Sequence, residues 1–299
     1  MVGPTAAGKS ALALRLGLER GGEIVSCDSL QVYRGLDLGS AKATVDERRL
    51  VPHHLLDVAD PDQEFSAAEY ARRARAALEG IAARGALPIV AGGTGLYLRA
   101  LLHGLFEAPP RDETLRRRLE ELGSRFGDAR LHRLLARIDP EAAARIAVRD
   151  RVRVVRALEV YRGTRRRLSD HHRAAPDPLT GFSVRVLVID PPRDALRAAV
   201  ERRTGEMFEG GFLDEVAGLL RRGYGPELRP LRAIGYRQAV DVLSGRCAPE
   251  EAQRDIVAAT MRYAKRQRTW FRHQTEAVWC ADAAEGHARA DAWLDGKEA

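Results

Sequence analysis

The segment GPTAAGKS at residues 3–10 constrains this chain more than any other. It fits G-x-x-x-x-G-K-[ST], a glycine-rich turn that leaves a strand and opens a helix. Gly3, Pro4, Thr5, Ala6, Ala7 and Gly8 form a loop that curls so that backbone N–H groups point inward. The helix starting near Lys9 adds the positive end of its dipole. Lys9 neutralises a phosphate oxygen, and the Ser10 hydroxyl is suited to Mg²⁺. Residues 3–10 are therefore the expected phosphate-binding set. Only Met1 and Val2 precede Gly3, where a buried strand is expected. A missing central strand would leave its neighbours with unpaired backbone groups. The expectation is that the true start lies upstream of Met1, or that another segment covers the gap.

The rest of the chain alternates in kind. EIVSCDS (23–29) reads as a buried strand ending on Asp28, and LPIVAGGTG (87–95) as another that runs into a glycine turn. Between them, residues 65–85 have helical spacing, opened by Ser66 with Glu69 at capping-box distance. Strand, loop and helix in this order predict an α/β fold, a P-loop NTPase-like parallel-sheet core. The rhythm changes at the breaker EAPPRDE (107–113), after which charged helical segments run to about 168. A second breaker, AAPDPLTGF (174–182), precedes the strand pattern SVRVLVIDPP (183–192). The predicted organisation is a core at 1–109, a mostly helical insertion at 110–181, and a mostly helical second part of the core at 182–299.

With 299 residues, 45% hydrophobic and 30% charged, the composition is that of a soluble globular protein. No run of about 18 apolar residues predicts a membrane span, and no signal peptide is visible. Cys27, Cys247 and Cys280 are odd in number and widely spaced. They favour a reducing cytoplasm over a disulfide framework, and no structural zinc pattern is present. The net charge of +7 suits a polyanionic partner, or simply an Arg-rich composition. Its placement says more. Ten arginines and three acids lie between Arg145 and Arg173, and residues 261–274 hold five cationic residues, no acids, and Tyr263, Trp270, Phe271 and His273. Cations with interleaved rings suit RNA; Trp270 and Phe271 equally suit core anchors.

Two carboxylates compete for a role at the phosphate loop. Asp28 ends a strand on the side that faces such a loop, with Ser29 and Gln31 beside it. It reads either as a proton acceptor for a nucleophile or as an N-cap for the next segment. Asp190, in VLVID (186–190), fits the pattern of a magnesium-organising acid of nucleotide hydrolases, or an ordinary strand end before Pro191 and Pro192. The strand at 87–91 ends in Gly92-Gly93-Thr94 with no acid. The loop is thus expected to hold a diphosphate that departs, without ATP hydrolysis.

GPTAAGKS (3–10), DSLQVYRGLDLGSAK (28–42), PHHLLDV (52–58), FSAAEY (65–70), GGTGLYL (92–98), RVRVVRALEVY (151–161), AIGYRQ (233–238) and YAKRQRTWFR (263–272) together resemble the tRNA dimethylallyltransferase family. These tRNA isopentenyltransferases are also called IPP transferases. The resemblance spans essentially the whole chain. It implies transfer of a dimethylallyl group from dimethylallyl diphosphate to N6 of adenosine 37 in the tRNA anticodon stem-loop, with Mg²⁺, in a cytoplasmic monomer. It implies that residues 3–10 bind the diphosphate and that Asp28, Lys9, Arg203 and Thr94 are catalytic. Arg203 is placed by the R-x-x-x-M spacing to Met207, and Ala199 stands where the family has a further arginine. Contacts to tRNA are implied for Asp28, Ser29, Leu30, Gln31, Thr94, Arg116, Val152, Arg153, Val154, Val155 and Arg156. Val152 replaces the usual Gln, and Ala43 the usual Pro. The competing readings are a P-loop kinase of a nucleoside or small metabolite, an adenine-nucleotide isopentenyltransferase, and an RNA binder with a vestigial loop.

Overall fold

The computed structural model describes residues 1–106, 109, 112–174 and 177–297. Parts of both sequence breakers, at 107, 108, 110, 111, 175 and 176, lie outside the described residues. The chain separates into two compact units, residues 1–101 with 180–299, and residues 102–179. The sequence pattern placed the insertion at 110–181.

The larger unit begins with α1 (Lys9–Arg20), β1 (Gly22–Cys27), α2 (Val45–Leu50), β2 (His53–His54), α3 (Ala67–Ala83), β3 (Leu87–Gly92) and α4 (Gly95–His103). The smaller unit carries α5 (Glu113–Phe126), α6 (Asp128–Ile138), α7 (Pro140–Arg145), α8 (Arg151–Thr164) and α9 (Leu168–Ala174). The larger unit resumes with β4 (Leu187–Ile189), α10 (Arg193–Glu209), α11 (Phe212–Arg221), α12 (Tyr236–Leu243), α13 (Pro249–Gln274), β5 (Val278–Cys280) and α14 (Ala283–Leu294). No described helix is long and apolar enough to cross a membrane.

The strands are parallel, in two ladders ordered β2-β1-β3 and β4-β5. The gap expected between them is filled by the two residues that precede the phosphate loop. Val2 bridges both Gly92 and Val188 in parallel. Its N–H donates to Leu187 O at 2.8 Å, and Ile189 N–H donates to its carbonyl at 2.9 Å. On the other side Gly92 N–H donates to Met1 O at 3.1 Å, and the Met1 nitrogen to Val90 O at 2.7 Å. Two residues thus supply the central rung, and the ladders join into one sheet. The strand expected over 183–192 is only Leu187–Ile189, and its partner β5 is equally short.

Register brings the site together. Cys27 pairs with Gly92, and Gly92 with Val2. Asp28, Gly93 and Gly3 therefore leave the sheet at the same carboxyl edge, as does Asp190 after β4. The sheet is held by apolar packing of Leu12, Ala13 and Leu16 from α1 with Ile24, Ile89, Leu187, Ile189, Leu196 and Ala264. At α3 the Ser66 hydroxyl caps Glu69 N–H at 3.1 Å. The reciprocal half of the expected capping box is absent, because Glu69 pairs with Arg72 and Arg73 instead. The smaller unit has its own core of Leu119, Leu131, Leu135, Ala143, Val154, Val155, Ala157 and Leu158. Three of its helices, α5, α7 and α8, start on side-chain caps from Asp112, Asp139 and Asp150.

Candidate active site

The phosphate loop is shaped by backbone that few residues tolerate. Gly3 has φ of 138°, and a Cβ there would stand 2.4 Å from Ile189 O. Gly8 is left-handed, with φ of 85°, and is the N-cap of α1. Lys9 is buried, and its Nζ donates to Pro4 O across the loop at 2.5 Å. Burial lowers its pKa to about 8; Asp28 pulls it back up, and Arg203 pushes it further down. Arg203 arrives from α10 and donates to the Thr5 hydroxyl at 3.2 Å. Its own pKa is lowered by burial against the opposing pull of Asp28. Lys9, Arg203 and Asp28 therefore share one electrostatic neighbourhood. Ser10 is exposed at the first turn of α1.

Asp28 satisfies both of its sequence readings at once. Its Oδ1 accepts from Leu30 N–H at 2.8 Å and Gln31 N–H at 3.4 Å, which caps the turn. Among the described residues its Oδ2 has no hydrogen-bond donor. Thr94 locks this turn to the glycine turn after β3. Its Oγ1 accepts from Ser29 N–H at 3.0 Å, and its own N–H donates to Cys27 O at 3.1 Å. Tyr70 and Tyr97 stack at 4.2 Å, and Asp28 helps to raise the pKa of both. Burial pushes the Cys27 thiol up to about 12, so it is no nucleophile. Ser29 and Leu30 are half-buried beside Asp28. Gln31 is spent internally: its amide donates to Ser40 O and Ala41 O and accepts from the Ser26 hydroxyl.

The loop that follows is anchored from beneath. Glu215 accepts from the N–H groups of Asp37 and Leu38 at 3.0 and 2.6 Å and from the Tyr236 hydroxyl at 2.8 Å. Lys42, fully buried, donates to Tyr33 O, Asp37 and Asp57 within 2.7 Å. Neither Glu215 nor the pairing of Lys42 was read from the sequence, because their partners lie far along the chain.

The segment 263–272 is largely a clasp. Phe271 is buried, which favours a core anchor over a base-stacking ring. Trp270 covers Gly95, where a Cβ would meet its ring at 2.5 Å. Arg268 pairs with Asp190 and donates to Pro191 O. Asp190 is thus paired with a guanidinium, which favours its reading as an ordinary strand-end carboxylate over that of a magnesium-organising acid. Sequence reasoning missed Gln267, which is buried against the phosphate loop. Its spacing from buried Ala264 and Phe271 on one helical face was the available signal.

In the smaller unit, residues 152–156 split by helical period. Val152 is 75% exposed and the Arg153 side chain 73% exposed. Val154 and Val155 are 1% and 2% exposed and belong to the core, so their side chains are corrected from tRNA contacts to packing residues. Arg116 grips buried Glu159 with two hydrogen bonds of 3.0 and 2.9 Å. Arg156 reaches the same carboxylate at 3.5 Å and donates to Pro109 O. Both guanidinium groups are engaged within the unit.

A family model described as IPP transferase matches residues 31–274. A tRNA dimethylallyltransferase of Anaeromyxobacter sp. is 50% identical, over 94% of this chain and 93% of that protein. One from Koribacter versatilis is 48% identical, over 93% and 91%. A solved tRNA isopentenylpyrophosphate transferase from Bacillus halodurans is 37% identical with a TM-score of 0.69, over 99% of this chain and 94% of that one. One from Staphylococcus epidermidis is 32% identical with the same TM-score, over 99% and 98%. From the turn that carries Gln31 to the end of α13, and over nearly the full length of its relatives, this chain belongs to the IPP transferase family.

Proposed function

We propose that this enzyme transfers the dimethylallyl group of dimethylallyl diphosphate to N6 of adenosine 37 in the tRNA anticodon arm and releases diphosphate. One observation carries this reading. The acid placed to organise a nucleotide's magnesium, Asp190, is taken by Arg268, while Asp28 keeps one oxygen open at the same sheet edge. Such a loop suits a diphosphate that leaves, beside a group that accepts a proton.

The adenine amine is a weak nucleophile, because its lone pair is delocalised into the ring. As the N6 lone pair forms the bond to the allylic C1, the C1–O bond breaks and its electron pair leaves with the diphosphate. The N6 proton passes to Asp28 Oδ2. Asp28 Oδ1, held by two backbone N–H groups, keeps the carboxylate aimed. Loop N–H groups, Lys9 and Arg203 stabilise the charge gathering on the leaving oxygen. The exposed Ser10 hydroxyl is a hard oxygen donor at the start of α1 and is the residue that would hold Mg²⁺ there. The ion would supply further charge stabilisation there. Val152 and Arg153 present an exposed surface for the RNA. The test supplies labelled dimethylallyl diphosphate, Mg²⁺ and unmodified tRNA without ATP. Label should enter the RNA at adenosine 37; a requirement for ATP, or phosphate release from it, would favour the kinase reading.

A further inference from the structure

We propose that Gln267 is a positioning residue that fixes the spacing between the diphosphate loop and the Asp28 turn without touching either substrate. The proposal rests on the transfer reaction above. The Gln267 side chain is buried within the larger unit, on the inner face of α13. Its Oε1 accepts from Thr5 N–H at 3.0 Å, and its Nε2 donates to Gly93 O at 2.9 Å. One planar carboxamide thus ties the middle of the phosphate loop to the glycine turn after β3. A Cβ on Gly93 would stand 2.4 Å from that Nε2, so the backbone approaches the amide as closely as only glycine permits.

The tie continues into the reacting groups. Thr94 follows Gly93 and bonds to both neighbours of Asp28, through Cys27 O and Ser29 N–H. Thr5 is held on its other side by Arg203, which donates to its hydroxyl. A chain of hydrogen bonds therefore runs from Arg203 through Thr5, Gln267, Gly93 and Thr94 to the Asp28 turn. The helix that delivers Gln267 is fixed in phase by Arg268 on Asp190 and by Trp270 on Gly95. Leaving-group stabilisation and proton removal act on the two ends of one breaking and forming bond pair. Their relative placement sets the rate, and an error of about 1 Å costs on the order of 100-fold.

Two substitutions test this. Gln267→Met keeps the volume and loses both hydrogen bonds. Gln267→Glu keeps the acceptor for Thr5 as a carboxylate, and regains the donor to Gly93 only when protonated. Transfer in a single turnover, calorimetric affinity for inorganic pyrophosphate, tRNA affinity and thermal unfolding are measured for each. For Gln267→Met, transfer per folded molecule should fall about 100-fold and pyrophosphate affinity should weaken, while tRNA affinity stays within about twofold. For Gln267→Glu, activity per folded molecule relative to the unsubstituted enzyme should rise as the pH is lowered, whereas a merely structural residue would change only the folded fraction. Unchanged transfer, a loss confined to tRNA affinity, or a loss that tracks only the unfolded fraction would overturn the proposal. Should Gln267→Met fail to fold, the pH profile of Gln267→Glu decides alone, and a flat relative profile overturns it. If the unsubstituted enzyme moves no label to tRNA, the transfer reading fails. The pyrophosphate affinities then still report on the clasp.

Discussion

The carboxyl edge of the sheet and the basic helix α8 both carry candidate functional residues, and they are built on opposite principles. At the sheet edge each group is held by buried or half-buried partners. Lys9 is on Pro4 O, Arg203 on Thr5, Asp28 on two N–H groups, and Thr94 on Ser29. In α8 the outward residues, Val152 and Arg153, are exposed, and Arg153 pairs with its near neighbour Asp150 at the helix start. Arg116 and Arg156, which look like surface cations in the sequence, are drawn inward to Glu159. The lesson is energetic. Chemistry needs groups whose positions are settled before the substrate arrives, so single changes there are expensive. Recognition of a polyanion spreads over exposed charges in high dielectric, so each contributes little and the sum depends on salt.

That contrast is breakable. The largest effect belongs to Asp28→Ala, which removes both the cap and the proposed proton acceptor. Turnover should fall by about 1000-fold or more, measured as label transfer, with tRNA binding nearly intact. A comparable loss of tRNA affinity would move Asp28 to the recognition side. Next is Arg116→Leu, which leaves buried Glu159, a side chain only 2% exposed, with Arg156 at 3.5 Å as its remaining cation among the described residues. The smaller unit should lose about 3 kcal/mol of stability in urea unfolding, much of it regained in Arg116→Leu with Glu159→Met. If instead stability is unchanged and only tRNA affinity drops, Arg116 is a contact residue after all.

A smaller effect follows from Lys9, whose pKa is lowered to about 8 by burial. Raising the pH through that value discharges the ammonium, so KM for dimethylallyl diphosphate should climb above about pH 8. The stability effect has the opposite sense. Between about pH 8 and the ordinary lysine value the folded state binds fewer protons than the unfolded one, so stability rises with pH over that window. Both dependences should vanish in Lys9→Met. The smallest effect is Arg153→Ala. Affinity for tRNA should drop about two- to fivefold and the salt slope should flatten by about one unit. An effect as large as that at Asp28 would erase the contrast between the two regions.

How much of this was legible in the sequence depends on the range of the interactions involved. The phosphate loop, the Asp28 strand end and the parallel α/β rhythm depend on spacing within a few residues, and they stand where the patterns put them. The central rung was not legible. Only the bridges of Val2 to both Gly92 and Val188 reveal that the residues just before the phosphate loop lie between the two ladders. The fate of charges was equally hidden. Arg268 closes on Asp190 across 78 residues of chain and Arg116 on Glu159 across 43, and no local window reports such pairs. Val154 and Val155 show a limit of motif transfer. A contiguous block of residues covers all sides of a helix, so part of any such block must face the core.

The most direct test uses Asp28→Asn, which keeps a carbonyl oxygen for the N–H groups of Leu30 and Gln31 but cannot take a proton. A single turnover is measured with tRNA and dimethylallyl diphosphate both saturating. The account predicts a rate lower by about 100-fold or more, with pyrophosphate and tRNA affinities nearly unchanged. A rate close to that of the unsubstituted enzyme would show that Asp28 only caps the turn and that the N6 proton leaves by another route.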